Sequence, residues 1–249
     1  MRPIRGYPAC RHPERMTPYG DTDVLAERDL VVPGSVVDVD SVRREPALFA
    51  DAARALGWLD SFVLQPNDGL GRPGHVCPRL GPVVSANRLT FVTMHTPDAE
   101  LCTAYAAGQQ LAALYRSLYP DTADHKSAAL IAMFPDLPEA EAGAFIDGGH
   151  KLLRMEYVGQ GLMLGEFHPT SAVASVRNDQ LPVMQAPVPM YAIRGITPHD
   201  IMFLDRPTED PQRRISYLEH YLHFVGPQLA ASARIRVSAT LEELKAAAG

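Results

Sequence analysis

Apolar residues recur along the chain with two periods, and the switches between them mark out the elements. From Glu45 to about Leu59, residues Phe49, Ala52, Ala53, Leu56 and Trp58 form one helical side, with Gly57 a soft spot near its end. The clearest helix is expected over Asp98 to Leu118. There Leu101, Tyr105, Gly108, Leu111, Ala112 and Tyr115 keep helical spacing, and Asp98 with Glu100 suits the positive N-terminal end. Pro138 to Val158 reads as a helix opened by Pro, Glu and Glu, with Phe145, Leu152, Leu153 and Met155 inward. Shorter helices are predicted over Pro198 to Leu204, Gln212 to Val225 and Leu241 to Ala248. Strands are predicted over Arg88 to His95, Ala128 to Phe134, Gly161 to Phe167 and Pro189 to Ile196, the second being continuously apolar and ended by Pro135.

This order predicts an α+β fold: a mixed or antiparallel sheet of about four strands flanked by helices, with long functional loops. Residues 1–33, rich in Pro, Arg and Asp, read as an extended N-terminal arm laid over the domain or a partner subunit, which leaves a homodimer open. Residues 34–249 read as a single α+β domain. The Gly/Pro-rich loop from Gln65 to Pro82 is long for a structureless connection inside a domain and is therefore expected to be functional.

Composition narrows the class. At 249 residues, a core burying roughly 70–75% of the unfolded surface needs no staple. A hydrophobic share of 46% and a charged share of 21% are those of a globular protein. The net charge of -6 argues against nucleic acid as a partner, because phosphate binding calls for a basic face. Cys10, Cys77 and Cys102 are too few and too scattered for a disulfide framework, Met1 to Arg15 holds no apolar run, and no stretch is apolar enough to span a membrane. A cytoplasmic chain that meets neither membrane nor nucleic acid and acts on a small molecule is the expectation. Gly69-Leu70-Gly71 precedes no helix and is not a nucleotide-binding signal.

Two segments carry candidate chemistry. In Gly161 to Pro169 the strand alternation puts Leu162, Leu164, Glu166 and His168 on one face, a wall that turns polar at the strand's end. Pro169 biases His168 toward an extended backbone. The alternative is a histidine that closes a strand by bonding a neighbouring loop. In Arg72 to Pro78, Cys77 could be a thiolate ligand, a nucleophile activated by His75 or an inert packed thiol. The Cys-Pro pair also suits haem ligation. Arg177 and Arg194 offer bidentate partners for carboxylates. Arg194 lies in an otherwise apolar strand and needs a partner, for which Asp200 is one option; His199-Asp200 could instead cap the helix after Pro198. His220 and His223 share a helical face at a spacing that metal sites use, without an accompanying glutamate. His12, His95, His125 and His150 have no evident company.

Together these segments resemble a family of bacterial domains that pairs a Gly-x-Val-Cys-Pro loop with a Gly-Leu-Met-x-Gly-Glu-Phe-His-Pro strand, matched here by Gly74, Val76, Cys77 and Pro78 and by Gly161 to Pro169. More distantly the layout is similar to the YqcI/YcgG family, through His168-Pro169, Arg177, Ile193-Arg194 and Asp200 in that order. Some members of that family are haem-dependent enzymes that oxidise nitrogen in amino acids or guanidines. The resemblance implies haem as cofactor, His168 as the axial ligand, and Arg177 and Arg194 near propionates or a substrate carboxylate. It departs at Glu166, where that family tends to be apolar, and in the stretched late Arg-Asp element.

Three functions follow as expectations. The first is a haem-dependent oxidase or oxygenase acting on a small nitrogen-containing substrate, with His168 on the iron and Glu166 and Cys77 as candidate catalytic groups. The second is a non-haem iron enzyme in which Glu166, His168 and a remote His75 or His199 form a two-His-one-carboxylate site. The third is a metal-free binding or accessory protein in which His168 and Cys77 brace loops. A thiol enzyme built on Cys77 lacks a third orienting residue.

Overall fold

The computed structural model describes residues 32–248 of the chain. In chain order these are β1 (Val32–Asp38), α1 (Val39–Arg44), α2 (Ala50–Trp58), α3 (Leu80–Ser85), β2 (Leu89–His95), α4 (Leu101–Leu118), β3 (Ala129–Met133), α5 (Glu139–Gly159), β4 (Leu162–Phe167), β5 (Ala174–Ser175), β6 (Asn178–Pro182), β7 (Met190–Gly195), α6 (Ile201–Leu204), α7 (Pro211–Val225) and α8 (Ala231–Ala248). The fold is α+β. A mixed five-stranded sheet has the order β1-β2-β3-β7-β4, and β5-β6 form a separate two-stranded ribbon.

The strand β2 runs parallel to β3, while β7 runs antiparallel to both β3 and β4. The carboxyl ends of β2, β3 and β4 therefore lie on the same rim of the sheet. All five residues of β3 are buried, as expected of a strand covered on both faces. Its even-numbered residues Leu130 and Ala132, with Val92, Met94, Leu164, Tyr191 and Ile193, pack under α4 and α5. Leu89, Phe91, Ala129, Ile131, Met133 and Met190 pack under α1, α2 and α3. Helices α6, α7 and α8 close one end around Tyr217, Tyr221 and Leu218. Among the described residues no helix is long and apolar enough to cross a membrane.

All four expected strands form, and the sheet gains β1 at its outer edge. The arm assigned to residues 1–33 lies outside the described residues except for Val32 and Pro33, which already belong to β1. The helix expected from Glu45 starts at Ala50 and runs on as a π turn over Leu59–Val63. The last helix begins at Ala231 rather than near Leu241. The loop after Gln65 is tied by its own backbone: Val76 N–H donates to Gln65 at 3.1 Å and Cys77 N–H to Val63 at 3.0 Å, and its final residues belong to α3.

Helix α5 is pinned to the sheet by one tyrosine. The fully buried Tyr191 of β7 aims its hydroxyl at the carbonyls of Phe145 and Ile146, at 3.2 and 3.0 Å. That reach needs Gly149, because a Cβ there would overlap the Tyr191 oxygen and stand 2.9 Å from the Ala104 Cβ. Gly149→Ala is thus expected to destabilise the fold by about 1–3 kcal/mol, overpacking outweighing the gain in helix propensity. The readout is a lower denaturant midpoint at unchanged m-value. Tyr191→Phe in the same chain should recover part of the loss; equal losses with and without Tyr191 would disprove the clash.

Candidate functional site

Helix α5 turns one stripe, Gly143, Asp147, His150 and Arg154, toward the carboxyl end of β4. Spacings of three and four keep those residues on one face. Opposite them, the alternation of β4 sends Glu166 and then His168 to the same side as Leu162 and Leu164, and Glu166 sits directly across from Tyr191 in the register.

His168 is 3% exposed and held on every side. Its Nε2 lies 3.2 Å from both carboxylate oxygens of Asp147, and Nδ1 lies 3.2 Å from Thr170 Oγ1. Because a carboxylate only accepts, Nε2 carries the hydrogen. The ring backs onto Gly143, where a Cβ would come within 3.3 Å of its Cε1. Its carbonyl accepts from Ser171 and Ala186, and its N–H donates to Met184. His168 thus ties the end of β4 to α5 and to the chain leading into β7.

Glu166 and His150 are the partly open pair. His150 Nε2 lies 3.4 Å from Glu166 Oε2, near but not aligned as a hydrogen bond, and each side chain keeps 16% of its surface exposed. Burial pushes the Glu166 carboxyl up to about 7; the nearby Asp147 carboxylate adds to this, while its own backbone amide, Arg154 and Arg206 oppose it. Burial pushes His150 down to about 4, helped by the positive charge of Arg154 and opposed by a hydrogen bond to the Leu164 backbone. At neutral pH the imidazole lacks its extra proton, and the carboxyl beside it is at the midpoint of its titration. Arg154 itself donates to Glu209 at 3.2 Å and to the Phe203 carbonyl, and stacks over Tyr217.

The other candidates lie elsewhere. Cys77 packs among the partly buried side chains of the α1–α3 face, across the sheet from Glu166, so the two segments singled out in the sequence do not form one site. Arg194 pairs in register with Ala129 and Met163, also on the far face from Glu166. It donates twice to Asp200, at 2.7 and 2.6 Å. Burial works against its charge, but the Asp200 hydrogen bonds more than offset that. Asp200 also accepts from the Thr197 amide and hydroxyl, so it is both partner and helix cap. Arg177 is exposed in the β5–β6 turn beside Gly71. His95 and His125, without company in sequence, meet Asp136 and the Tyr119 carbonyl. The residues that sequence reasoning missed are Asp147 and His150. Their signal was a polar stripe running beside the apolar side of a long helix.

Neither iron site fits these residues. An axial histidine needs an open nitrogen lone pair and room for a porphyrin. Both nitrogens of His168 are engaged in a closed ring site, and Arg177 and Arg194 do not converge on it. For non-haem iron, no group of three or more His, Cys, Asp or Glu side chains among the described residues is placed to hold a metal ion. His220 faces Gly159, and His223 stands edge-on to Phe224.

Fold and rim together define an α+β domain with a carboxyl–imidazole cluster at the open end of an edge strand. The chain belongs to the family described as a domain of unknown function, DUF6875, whose match covers residues 52–236. No curated protein and no solved structure matches it.

Two outcomes follow from this geometry. A carboxyl whose pKa rises from 4.5 to about 7 on folding contributes stability that is full below its unfolded value and lost as pH rises through about 7. Relative to the native chain, Glu166→Gln should therefore gain stability between pH 5 and pH 8, on the order of 2 kcal/mol after allowance for the exposed edge. Denaturant titrations at the two pH values measure it, and parallel curves would rule out the raised carboxyl. His168→Ala removes a buried, doubly bonded ring and should cost about 2–3 kcal/mol in the same assay. Haem added to the native chain should then give no Soret band that depends on His168.

Proposed function

We propose that this protein is an enzyme of acid–base chemistry on a small substrate, with Glu166 as the proton donor and His150 as the neutral base beside it. One observation carries this reading: the largely buried carboxyl and imidazole lie 3.4 Å apart, with their proton affinities pushed in opposite directions and part of each side chain still exposed to solvent. Titratable groups separated in this way are suited to opposite roles at one pH. A substrate entering at the rim would take the proton of Glu166 at a developing negative charge. The carboxylate left behind would recover a proton from the substrate's acidic position or from water, by way of the unprotonated His150 ring. Asp147 and His168 serve as positioning residues, since they fix the end of the strand that bears Glu166. The distant likeness to the YqcI/YcgG family would instead call for haem, and in that case His168 would have to exchange Asp147 for iron.

A binding or accessory role is the second reading. It is favoured by the engagement of His168 and by the packing of Cys77, both of which act here as braces.

Carbon-13 NMR of the Glu166 carboxyl tests the first reading without a known substrate. A titration midpoint near 7, moved by His150→Ala, is expected; a midpoint in the ordinary carboxylate range would end the proposal. Once turnover is found in a panel of small metabolites, Glu166→Gln should lower kcat by about 10²–10⁴-fold with little change in KM. Unchanged turnover in Glu166→Gln would remove Glu166 as the proton donor, and no turnover with any member of the panel would favour the accessory role.

A further inference from the structure

The chain leaves β4 through a tight turn over His168-Pro169-Thr170-Ser171, closed by the Ser171 N–H donating to the His168 carbonyl at 3.2 Å. Proline suits the second position of such a turn. Both ends are buried, His168 to 3% and Ser171 to 0% exposure, while Thr170 at the third position is exposed. A second anchor fixes the exit, where the Val173 N–H donates to Ser171 Oγ at 3.3 Å. One exposed hydroxyl is therefore carried on a backbone held on both sides.

That hydroxyl is not left to water. Its Oγ1 lies 3.2 Å from Nδ1 of His168, and with the ring hydrogen on Nε2, facing Asp147, Nδ1 offers a lone pair. Thr170 therefore donates and the imidazole accepts. The ring is kept from turning, because Nε2 meets both Asp147 oxygens at 3.2 Å and Cε1 backs onto Gly143. A hydroxyl, a base within hydrogen-bond reach and a third group that orients the base are the parts of an activated nucleophile. The two ring nitrogens exchange the roles they take in serine hydrolases, and the proton path is the same. Beside the hydroxyl in sequence, the amide N–H groups of Thr170 and Ala172 make no hydrogen bond to the described residues, which leaves them to serve a developing oxyanion.

We propose that Thr170 is a nucleophile for acyl transfer, activated by His168 and oriented through Asp147, and that it acts on small uncharged carboxylic esters. The inference stands apart from the Glu166–His150 reading, which forms no bond to the protein. As Oγ1 attacks the ester carbonyl, its proton passes to Nδ1 and a tetrahedral adduct forms. Collapse breaks the bond to the leaving alcohol, which takes the proton from Nδ1 and leaves an acyl ester on Thr170. Water then attacks that ester and gives a proton to Nδ1; release of the carboxylic acid returns it to Oγ1. An uncharged ester suits the place better than a phosphate ester, since the Asp147 carboxylate is half exposed on a chain of net charge -6.

An alkyl fluorophosphonate, which phosphonylates activated hydroxyls with loss of fluoride, probes the full chain, and peptide mass spectrometry locates the adduct. Release of p-nitrophenolate from p-nitrophenyl acetate reads turnover. Expected are an adduct on Thr170 and ester turnover that the adduct blocks. T170V should lose both, and T170S should keep both. D147N, checked for folding by circular dichroism, should label Thr170 and turn over the ester about 10²–10⁴-fold more slowly, as loss of an oriented base requires. That decline separates a relay from a brace, since a hydroxyl that only supports the ring would react no differently without Asp147. Absence of an adduct on Thr170, equal turnover by T170V and the native chain, or equal rates in D147N would each overturn the proposal.

Discussion

The close approach of α5 to the sheet is the constraint from which the rest of the site follows. Gly149 removes the one side chain that would hold the helix off, and the Tyr191 hydroxyl then reaches the carbonyls of Phe145 and Ile146. A tyrosine buried with its hydroxyl unpaired would be costly, so this contact sets height as well as rotation. With the helix fixed in that rotation, Asp147, His150 and Arg154 have only one place to face, the end of β4. Had α5 lain farther out, water would fill the gap and Glu166 would be an ordinary surface carboxylate.

Electrostatics at the rim then follow from how much water each group keeps. Asp147 is half exposed and supplies His168 with an acceptor. Glu166 and His150 lose most of their hydration without an aligned hydrogen bond to each other, and in such a place burial works against the charged form of each. Arg154 lowers the proton affinity of both groups, deepening the shift of His150 and moderating that of Glu166. Its charge opposes a proton on His150 while the same guanidinium fastens the α6–α7 connection, so the group that tunes the pair also holds the chain segment beside it.

Much of the fold was legible because its strands and long helices announce themselves locally. The apolar run at Ala129–Met133 and the helical spacing through Leu101, Leu111 and Tyr115 allow few alternatives. The strand β1 was not legible, since Val32-Pro33-Gly34-Ser35 interrupts any alternation and its pairing with β2 slips between Pro33 and Val36. Helix α8 begins early on Arg234, Ile235 and Arg236, where no apolar stripe exists to read, and Ile235 indeed stays exposed. In the site, the shared face of Glu166 and His168 could be read from β4 alone, but their partners could not. Asp147 is twenty-one residues before His168, and nothing local says that the helix bearing it returns across that strand. Arg194 was half legible: a cation inside an apolar strand demands a carboxylate, and Asp200, six residues on, is the one it meets.

Why the proposed proton donor is Glu166 rather than His168 can be argued from burial alone. A general acid must be desolvated enough for its pKa to rise, yet open enough to touch a substrate, and these demands conflict in the middle of a sheet. An edge strand resolves the conflict, because one flank of β4 is covered by β7 while its carboxyl end runs out under the rim of α5. Glu166 sits at that balance with a sixth of its side chain open. Two residues later His168 has passed it: the ring is enclosed, both nitrogens are spent, and it can act only through what it holds in place. The imidazole that looked most like a catalyst in the sequence thus serves as a fixture, and the proposed proton donor is the carboxyl before it.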